Sequence, residues 1–166
     1  MESKIKDNFK ILWATAIIIV ALDQLTKLMV MQRLSPYEAI EVIPGFFNLV
    51  FYMNQGAAFG ILNEGGIARK LFLIGTSLAA LAIVAVLVWQ SRSRLTTFAL
   101  SLIAGGAVGN LVDRARFGFV VDFLDFYLST RHWPAFNVAD SAITVGVGLT
   151  IIIYFFSNEK PGLRAG

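Results

Sequence analysis

The sequence predicts a mostly α-helical membrane protein, with four transmembrane helices and a small extracytoplasmic β-sheet formed by the first outer loop. Hydrophobic residues make up 57% of the 166 residues and the mean hydropathy is +0.70, above the apolar content of an ordinary soluble domain. Four apolar runs are long enough to cross a hydrocarbon core of about 30 Å. Between the first two runs lies a long segment rich in aromatic and β-preferring residues.

The four predicted spans follow the apolar runs in chain order. They cover residues 11–31, 71–89, 95–112 and 139–156. The second and third contain no charged residue, and the short connection at 90–94 requires that they run antiparallel. We predict a single integral membrane domain over residues 1–166, with outer loops at 32–70 and 113–138. The basic start and first apolar run also resemble a secretory signal peptide, an alternative that lacks a persuasive small-residue cleavage site.

The two predicted outer loops differ in character. The first is too long for a simple connector, is punctuated by Pro36, Pro44 and Gly45, and contains the run FFNLVFYM at 46–53. This composition favours a small sheet lying on the membrane surface. In the second loop, the stretch DFLDFY at 122–127 is predicted to be a short amphipathic segment in which Asp125 shares a helical face with Asp122 and is solvated.

The distribution of lysine and arginine predicts the orientation. Basic residues are densest in the N-terminal tail, the 90–94 turn and the C-terminal tail, which places both termini in the cytoplasm and the long loops outside. Basic residues form no stripe with interleaved aromatics, so nucleic-acid binding is not expected. The chain has no cysteine, which excludes disulfides, thiolate metal sites and cysteine nucleophiles. No internal repeat is visible, which argues against an inverted-repeat transporter.

Four aspartates lie inside or at the rim of the apolar runs, where a carboxylate costs roughly 2.5 to 3.5 kcal/mol and marks a functional candidate. They are Asp23, Asp113, Asp122 and Asp140. Asp122 and Asp140 stand at the entry and exit of the second outer loop, so a loop that folds back brings them together. Two adjacent carboxyls in a low-dielectric site share one proton, which is the apparatus of an aspartic protease. The alternative is that Asp140 only caps the last helix and Asp122 is solvated.

Five ordered sequence blocks resemble the prokaryotic lipoprotein signal peptidases, or signal peptidase II, a family of aspartic membrane peptidases. The blocks are DQLTK with Asp23 and Lys27, NQGAAFG with Asn54 and Gly56, GNLVDR with Asn110, Asp113 and Arg114, GFVVD with Asp122, and FNVADS with Asn137, Ala139 and Asp140. The resemblance covers most of the chain. It implies an enzyme of the bacterial cytoplasmic (inner) membrane that cleaves prolipoprotein signal peptides just before the diacylglyceryl-cysteine, with its active site at the outer face.

The resemblance also implies roles for individual residues. Asp122 and Asp140 become the catalytic pair, working without a cofactor or metal. The implied substrate-binding residues are Asn54, Gly56, Asn110, Asp113, Arg114, Asn137 and Ala139. Asp23 and Lys27, four apart on one helix face, are interpreted as a neutralised structural pair.

Alternatives remain for several of these residues. Asn110 follows a run of small residues and could orient a substrate carbonyl or tie two helices together. Arg114 could hold a substrate group with its planar fork or only extend its charged head into water. His132, the only histidine, is expected to be a surface residue.

Two other functional classes compete with the peptidase. A small proton- or ion-coupled transporter also keeps intramembrane carboxylates, but it predicts acids spread across membrane depth. A non-catalytic scaffold would not explain the Asn and Asp residues at the outer rim. The expected partners are lipid-modified prolipoproteins and membrane lipids, and the protein is expected to be a monomer.

Overall fold

The computed structural model describes residues 2–56 and 67–156, which form four long helices and four short strands. The helices are α1 (Glu2–Arg33), α2 (Ile67–Gln90), α3 (Arg94–Phe117) and α4 (Val138–Phe156), and the strands are β1 (Ala39–Ile43), β2 (Phe47–Asn54), β3 (Val120–Leu128) and β4 (Arg131–His132). All four helices are long and apolar enough to cross a membrane. The predicted fold class is confirmed, although α1 starts nine residues before the predicted span and α3 runs five residues past it.

Helix α3 is the central helix, and it packs against each of the other three. In the most apolar 18-residue stretch of α3, 56% of the residues are buried, against 11% to 22% in the corresponding stretches of the other helices. Small residues make this packing possible. A Cβ added at Gly109 would lie 2.6 Å from Asp23 Oδ2, and one at Gly106 would collide with the carbonyl oxygen of Ala139. The outer helices leave many apolar side chains exposed, as lipid contact requires.

The sheet is antiparallel in the order β1-β2-β3-β4 and combines both loops. The first loop supplies β1 and β2 as predicted, but the second loop supplies the remaining strands. One face packs on the end of α1 through a cluster of Val30, Leu34, Phe51, Val121 and Phe123. This cluster fixes the sheet over the same end of the bundle at which α3 ends and α4 begins.

The second loop therefore corrects one expectation. The 122–127 stretch is part of strand β3, not an amphipathic helical segment, because its aromatic and branched residues pair with β2 along the whole strand. Asp122 and Asp125, three apart on a strand, point to opposite faces. Asp125 is also not solvated: it is buried and contacts Asn48 and His132.

Candidate functional site

Strand β3 and the start of α4 bring Asp122 and Asp140 to one site. Asp122 lies on β3, and its side chain is 2% exposed. Its two carboxyl oxygens accept hydrogen bonds from two side-chain amides, Asn54 Nδ2 at 2.8 Å and Asn137 Nδ2 at 2.7 Å. The donors come from β2 and from the residue before α4, so the sheet and the bundle both fix this carboxyl.

Asp140 lies in the first turn of α4 and is half-buried. Its side chain accepts from the backbone N–H of Asn137 at 3.3 Å, while its own N–H donates to Asn137 Oδ1 at 2.9 Å. This reciprocal pattern is a capping box, which secures the helix start and fixes both side chains. The other oxygen of Asp140 accepts from Asn110 Nδ2 of α3 at 2.8 Å. The alternative in which Asp140 only caps the helix and Asp122 is solvated is wrong, because Asn137 is the N-cap residue and Asp122 is buried.

Asn137 connects the two carboxyls. It is fully buried, contacts Asp122 with its side-chain amide, and exchanges hydrogen bonds with Asp140 as the helix cap. Its Nδ2 also lies 3.2 Å from the backbone oxygen of Val121 and 3.2 Å from Asn110 Oδ1. One side chain therefore sets the separation of β3 and α4 at the site.

The environment of Asp122 disfavours its ionised form. Burial is the largest effect and, together with the negative charge of Asp140, it raises the pKa of Asp122 from 3.8 to about 6. The hydrogen bonds from Asn54 and Asn137 and the positive charge of Lys27 act in the opposite direction. A carboxyl with this pKa, next to a second one, can hold a proton near neutral pH and release it during a reaction.

A second cluster of charges lies beneath this site, around Lys27. The ammonium lies 2.8 Å from Asp23 Oδ2 and 2.8 Å from Asp113 Oδ2, and all three side chains are at most 1% exposed. Gln24 donates to Asp113 Oδ1 at 2.8 Å, and Asp23 Oδ1 accepts the N–H of Ala139 at 3.0 Å. The predicted pair of Asp23 and Lys27 exists, but it is extended by Asp113.

Three of the expected substrate-binding residues have surroundings that limit direct contact with a substrate. Asp113 has both oxygens engaged by protein donors and is buried. Ala139 is fully buried, and its carbonyl faces Gly106. Asn110 is 5% exposed and hydrogen-bonded on both sides of its amide. Their role in substrate binding therefore stays a prediction.

Two other expected substrate-binding residues are more accessible. Asn54 is exposed at the end of β2, and its Oδ1 accepts the N–H of Gly56, whose φ of +75° suits glycine. The Ala57, Ala58 and Phe59 part of the same motif lies outside the described residues. Arg114 is half-buried, with Nη1 3.5 Å from Ser77 Oγ, and its charge interacts with Asp140, Asp113 and Asp122. It therefore sits between the two clusters.

Sequence reasoning missed Gln24 and the surroundings of Asp125. Gln24 stands inside the DQLTK block, and its position next to Asp23 was the only available signal. Asp125 is 4% exposed and accepts from Asn48 Nδ2 at 2.9 Å, while His132 Nδ1 lies 2.9 Å from its Oδ1. His132 is half-exposed, as expected for a surface residue, but it is tied to β3. Within residues 2–56 and 67–156, no group of His, Asp and Glu side chains could hold a metal ion.

Four membrane-length helices, with two carboxyls that both contact Asn137 at one end, are features expected of a membrane aspartic peptidase. The comparisons with known proteins agree with this class. A family model described as signal peptidase (SPase) II matches residues 15–156. The chain belongs to the signal peptidase II family, so the predicted resemblance is confirmed, and nothing found supports the transporter alternative.

Individual relatives match along nearly the whole chain. The lipoprotein signal peptidase of Syntrophotalea carbinolica is 50% identical over 95% of this chain and 96% of its own length. That of Geobacter metallireducens is 47% identical over 87% of this chain and 90% of its own length. Two solved structures of a bacterial membrane enzyme, at 1.9 and 2.3 Å resolution, are each 33% identical, with TM-scores of 0.78 and 0.74. They cover 89% and 87% of this chain, and this chain covers 94% and 86% of theirs.

Proposed function

We propose that this protein removes signal peptides from prolipoproteins by hydrolysing the bond before the diacylglyceryl-cysteine, with Asp122 and Asp140 as the catalytic pair. The single observation that carries this assignment is the arrangement around Asn137, which holds both carboxyls through one buried side chain. Family membership supports the reaction, and the hydrogen-bond geometry supports the choice of residues.

The surroundings of the two carboxyls support different roles for them in the first step. Asp122 is the more buried, and its raised pKa favours the protonated acid, whereas Asp140 is half-buried and serves as the base. Asp140 takes a proton from water, and the hydroxide adds to the carbonyl carbon of the scissile bond. Asp122 gives its proton to the carbonyl oxygen, which forms a neutral gem-diol.

The second step restores both groups. One hydroxyl of the gem-diol returns its proton to Asp122 as the carbonyl re-forms and the C–N bond breaks. Asp140 gives its proton to the leaving nitrogen, which becomes the free amine of the lipid-modified cysteine. The products are a carboxylic acid and an amine, and no covalent enzyme intermediate is formed.

Substrate binding should use the accessible residues and the lipid. Asn54 and Gly56 lie at the end of β2, where an extended peptide can lie beside the backbone, and Arg114 offers a planar donor group near the pair. Burial of two acyl chains contributes roughly 0.8 kcal/mol per methylene, so the lipid can position the scissile bond. Cleavage should therefore fall sharply for a precursor whose cysteine carries no lipid.

The proposal also includes the membrane in which the enzyme lies and its orientation. We place the enzyme in the bacterial cytoplasmic membrane, with both termini in the cytoplasm and the sheet on the opposite side, from the density of basic residues. The chain has no cysteine, so single-cysteine variants Ser3→Cys and Thr130→Cys allow a clean test. An impermeant thiol reagent applied to cells from outside should label only Thr130→Cys, and the reverse pattern would contradict this orientation.

The reaction is tested with purified full-length protein in detergent and a lipidated precursor peptide. The protein should cleave the peptide without added metal. Because both catalytic carboxyls come from one chain, the monomer should be active. Asp122→Asn and Asp140→Asn should each abolish cleavage while the protein still folds and binds the precursor. Substantial activity in either purified variant would show that the catalytic pair is wrongly assigned.

A further inference from the structure

Lys27 contacts a neutral side chain, Asn110, in addition to its two ion pairs. Lys27 lies on α1 and its side chain is buried. Besides contacting Asp23 and Asp113, its ammonium donates to Asn110 Oδ1 at 3.2 Å. One carboxylate would be enough to neutralise the charge, and two are in contact with it. The third contact leads to the catalytic site, because Asn110 Nδ2 donates to Asp140 Oδ1 at 2.8 Å.

The chemistry of the ammonium fixes how the amide of Asn110 is turned. An ammonium has three donors and no acceptor, so the neighbouring amide must present its oxygen. The NH₂ group of Asn110 then faces Asp140. Asn137 Nδ2 lies 3.2 Å from the same Asn110 oxygen. In the opposite orientation, the NH₂ group would face the donors of Lys27 and Asn137, and the oxygen would face the carboxylate of Asp140. Asn110 is only 5% exposed, so water could not relieve these contacts.

We infer that Lys27 is a positioning residue of the reaction, which acts through Asn110 to orient Asp140 as the base. This inference rests on the proposed function, because it takes Asp140 to be the base. Lys27 does not touch the substrate or the reacting atoms. Its effect is to keep a hydrogen-bond donor, and never an acceptor, directed at Asp140 Oδ1. The other oxygen, Oδ2, accepts the N–H of Asn137, and the side chain as a whole is half-exposed.

The charge of Lys27 also acts on the other carboxyl of the pair, Asp122. Among the described residues, the charged groups that act on the pair are Lys27 from α1 and Arg114 from α3. Asp23 and Asp113 lie against Lys27. The positive charge of Lys27 lowers the pKa of Asp122. Its removal should therefore move the upper limb of the pH profile to higher pH, an effect that a purely structural role would not produce.

A double-mutant cycle tests the inference with purified full-length protein and a lipidated precursor peptide. The variants are Lys27→Met, Asn110→Ala and the double variant. Each single change should lower kcat by about 10- to 100-fold with little change in KM, as expected for a misplaced catalytic group. The double variant should lose no more than Asn110→Ala alone, because Lys27 acts through that side chain.

The matched control is Gln24→Met, which removes hydrogen bonds to Asp23 and Asp113 without touching Asn110. It should leave kcat and the pH profile close to those of the parent. If Lys27→Met fails to fold, the cycle is repeated on an Asp23→Asn background. There, loss of Lys27 leaves only Asp113, which retains its hydrogen bonds from Gln24 and Val121.

The outcomes separate the inference from the proposed function. Losses that multiply in the double variant would overturn the positioning role. An unmoved pH profile in Lys27→Met would overturn the effect of its charge on Asp122. In both cases the parent still cleaves its substrate. A parent that does not cleave the lipidated precursor would instead contradict the proposed function itself.

Discussion

The pair of Asp23 and Asp113 and the pair of Asp122 and Asp140 are connected through Lys27 and Asn110, but they differ in what surrounds them. Asp23 and Asp113 contact the ammonium of Lys27 and are closed off from solvent. Asp122 and Asp140 are held by amides, and Asp140 remains half-exposed. An ammonium stabilises a carboxylate as a fixed charge, whereas a neutral amide leaves it able to exchange a proton.

The four aspartates look alike in the sequence, but one pair is part of a structural cluster and the other has the surroundings of a catalytic pair. All four aspartates stand inside or at the rim of apolar runs of the sequence, where a carboxylate is costly. Only in the pair of Asp122 and Asp140 is one carboxyl half-exposed and the pKa of the other raised. The buried cluster joins α1, α3 and the start of α4 through Asp23, Lys27, Asp113 and Ala139. It supports the site from below, so changes in it should act first on stability or geometry.

The largest expected effect comes from exchanging aspartate for asparagine in each pair. Asp122→Asn and Asp140→Asn should each lower kcat by at least about 1,000-fold, and the double variant should lose little more, because the two act as a unit. Asp113→Asn leaves Lys27 paired with Asp23 and should retain far more turnover. The measurement is kcat on lipidated precursor, with the thermal unfolding midpoint as a control for folding. Equal losses in both pairs would remove the distinction drawn above.

The next effect concerns the close approach of α3 and α1 at the buried cluster. Gly109→Ala should destabilise the protein by about 1 to 3 kcal/mol, since the added Cβ would lie 2.6 Å from Asp23 Oδ2. Gly148→Ala in α4 is the matched control because its added Cβ would contact nothing within 4 Å. That change should be neutral or stabilising by up to about 1 kcal/mol. Thermal unfolding in detergent measures both, and equal midpoints would show that the helices are less tightly packed than described.

Arg114 lies between the clusters, and its replacement tests which one it serves. Arg114→Lys keeps the charge but loses the planar fork, so kcat/KM should fall by about tenfold, the cost of one charged hydrogen bond of roughly 1.5 kcal/mol. Arg116→Lys, an exposed neighbour on α3, is the control and should behave like the parent. A loss of stability without a loss of kcat/KM would assign Arg114 to the buried cluster instead.

The sequence predicts local patterns here better than it predicts contacts between distant segments. Asp23 and Lys27 are recognisable because they are four apart on one helix, but Asp113 joins them from another helix. The β-character of 46–53 is visible, but β3 pairs with β2 across about 70 residues, and this long-range pairing makes 122–127 a strand. The aspartate pair is suggested by the family resemblance, whereas the role of Asn137 as both cap and bridge depends on folding of the loop.

The raised pKa of Asp122 has a consequence for stability. Its ordinary value is 3.8 and its value in the folded protein is about 6, so the folded state favours the protonated form. The resulting stabilisation is fully present below about pH 3.8 and is lost as pH rises through about 6. Asp122→Asn cannot titrate, so the fall in stability between these values should be smaller in this variant, as followed by thermal unfolding.

The smallest expected effect is a shift of the pH profile on removal of Asn54. The hydrogen bond from Asn54 Nδ2 favours the ionised form of Asp122 and lowers its pKa. In the proposed mechanism Asp122 gives the proton, so the upper limb of kcat/KM against pH should lie at higher pH in Asn54→Ala than in the parent. Asn48→Ala on the same strand is the control, because it contacts Asp125 and not the pair. A shift of the lower limb to higher pH in Asn54→Ala, with the upper limb unmoved, would mean that Asp122 acts as the base, with Asp140 carrying the proton.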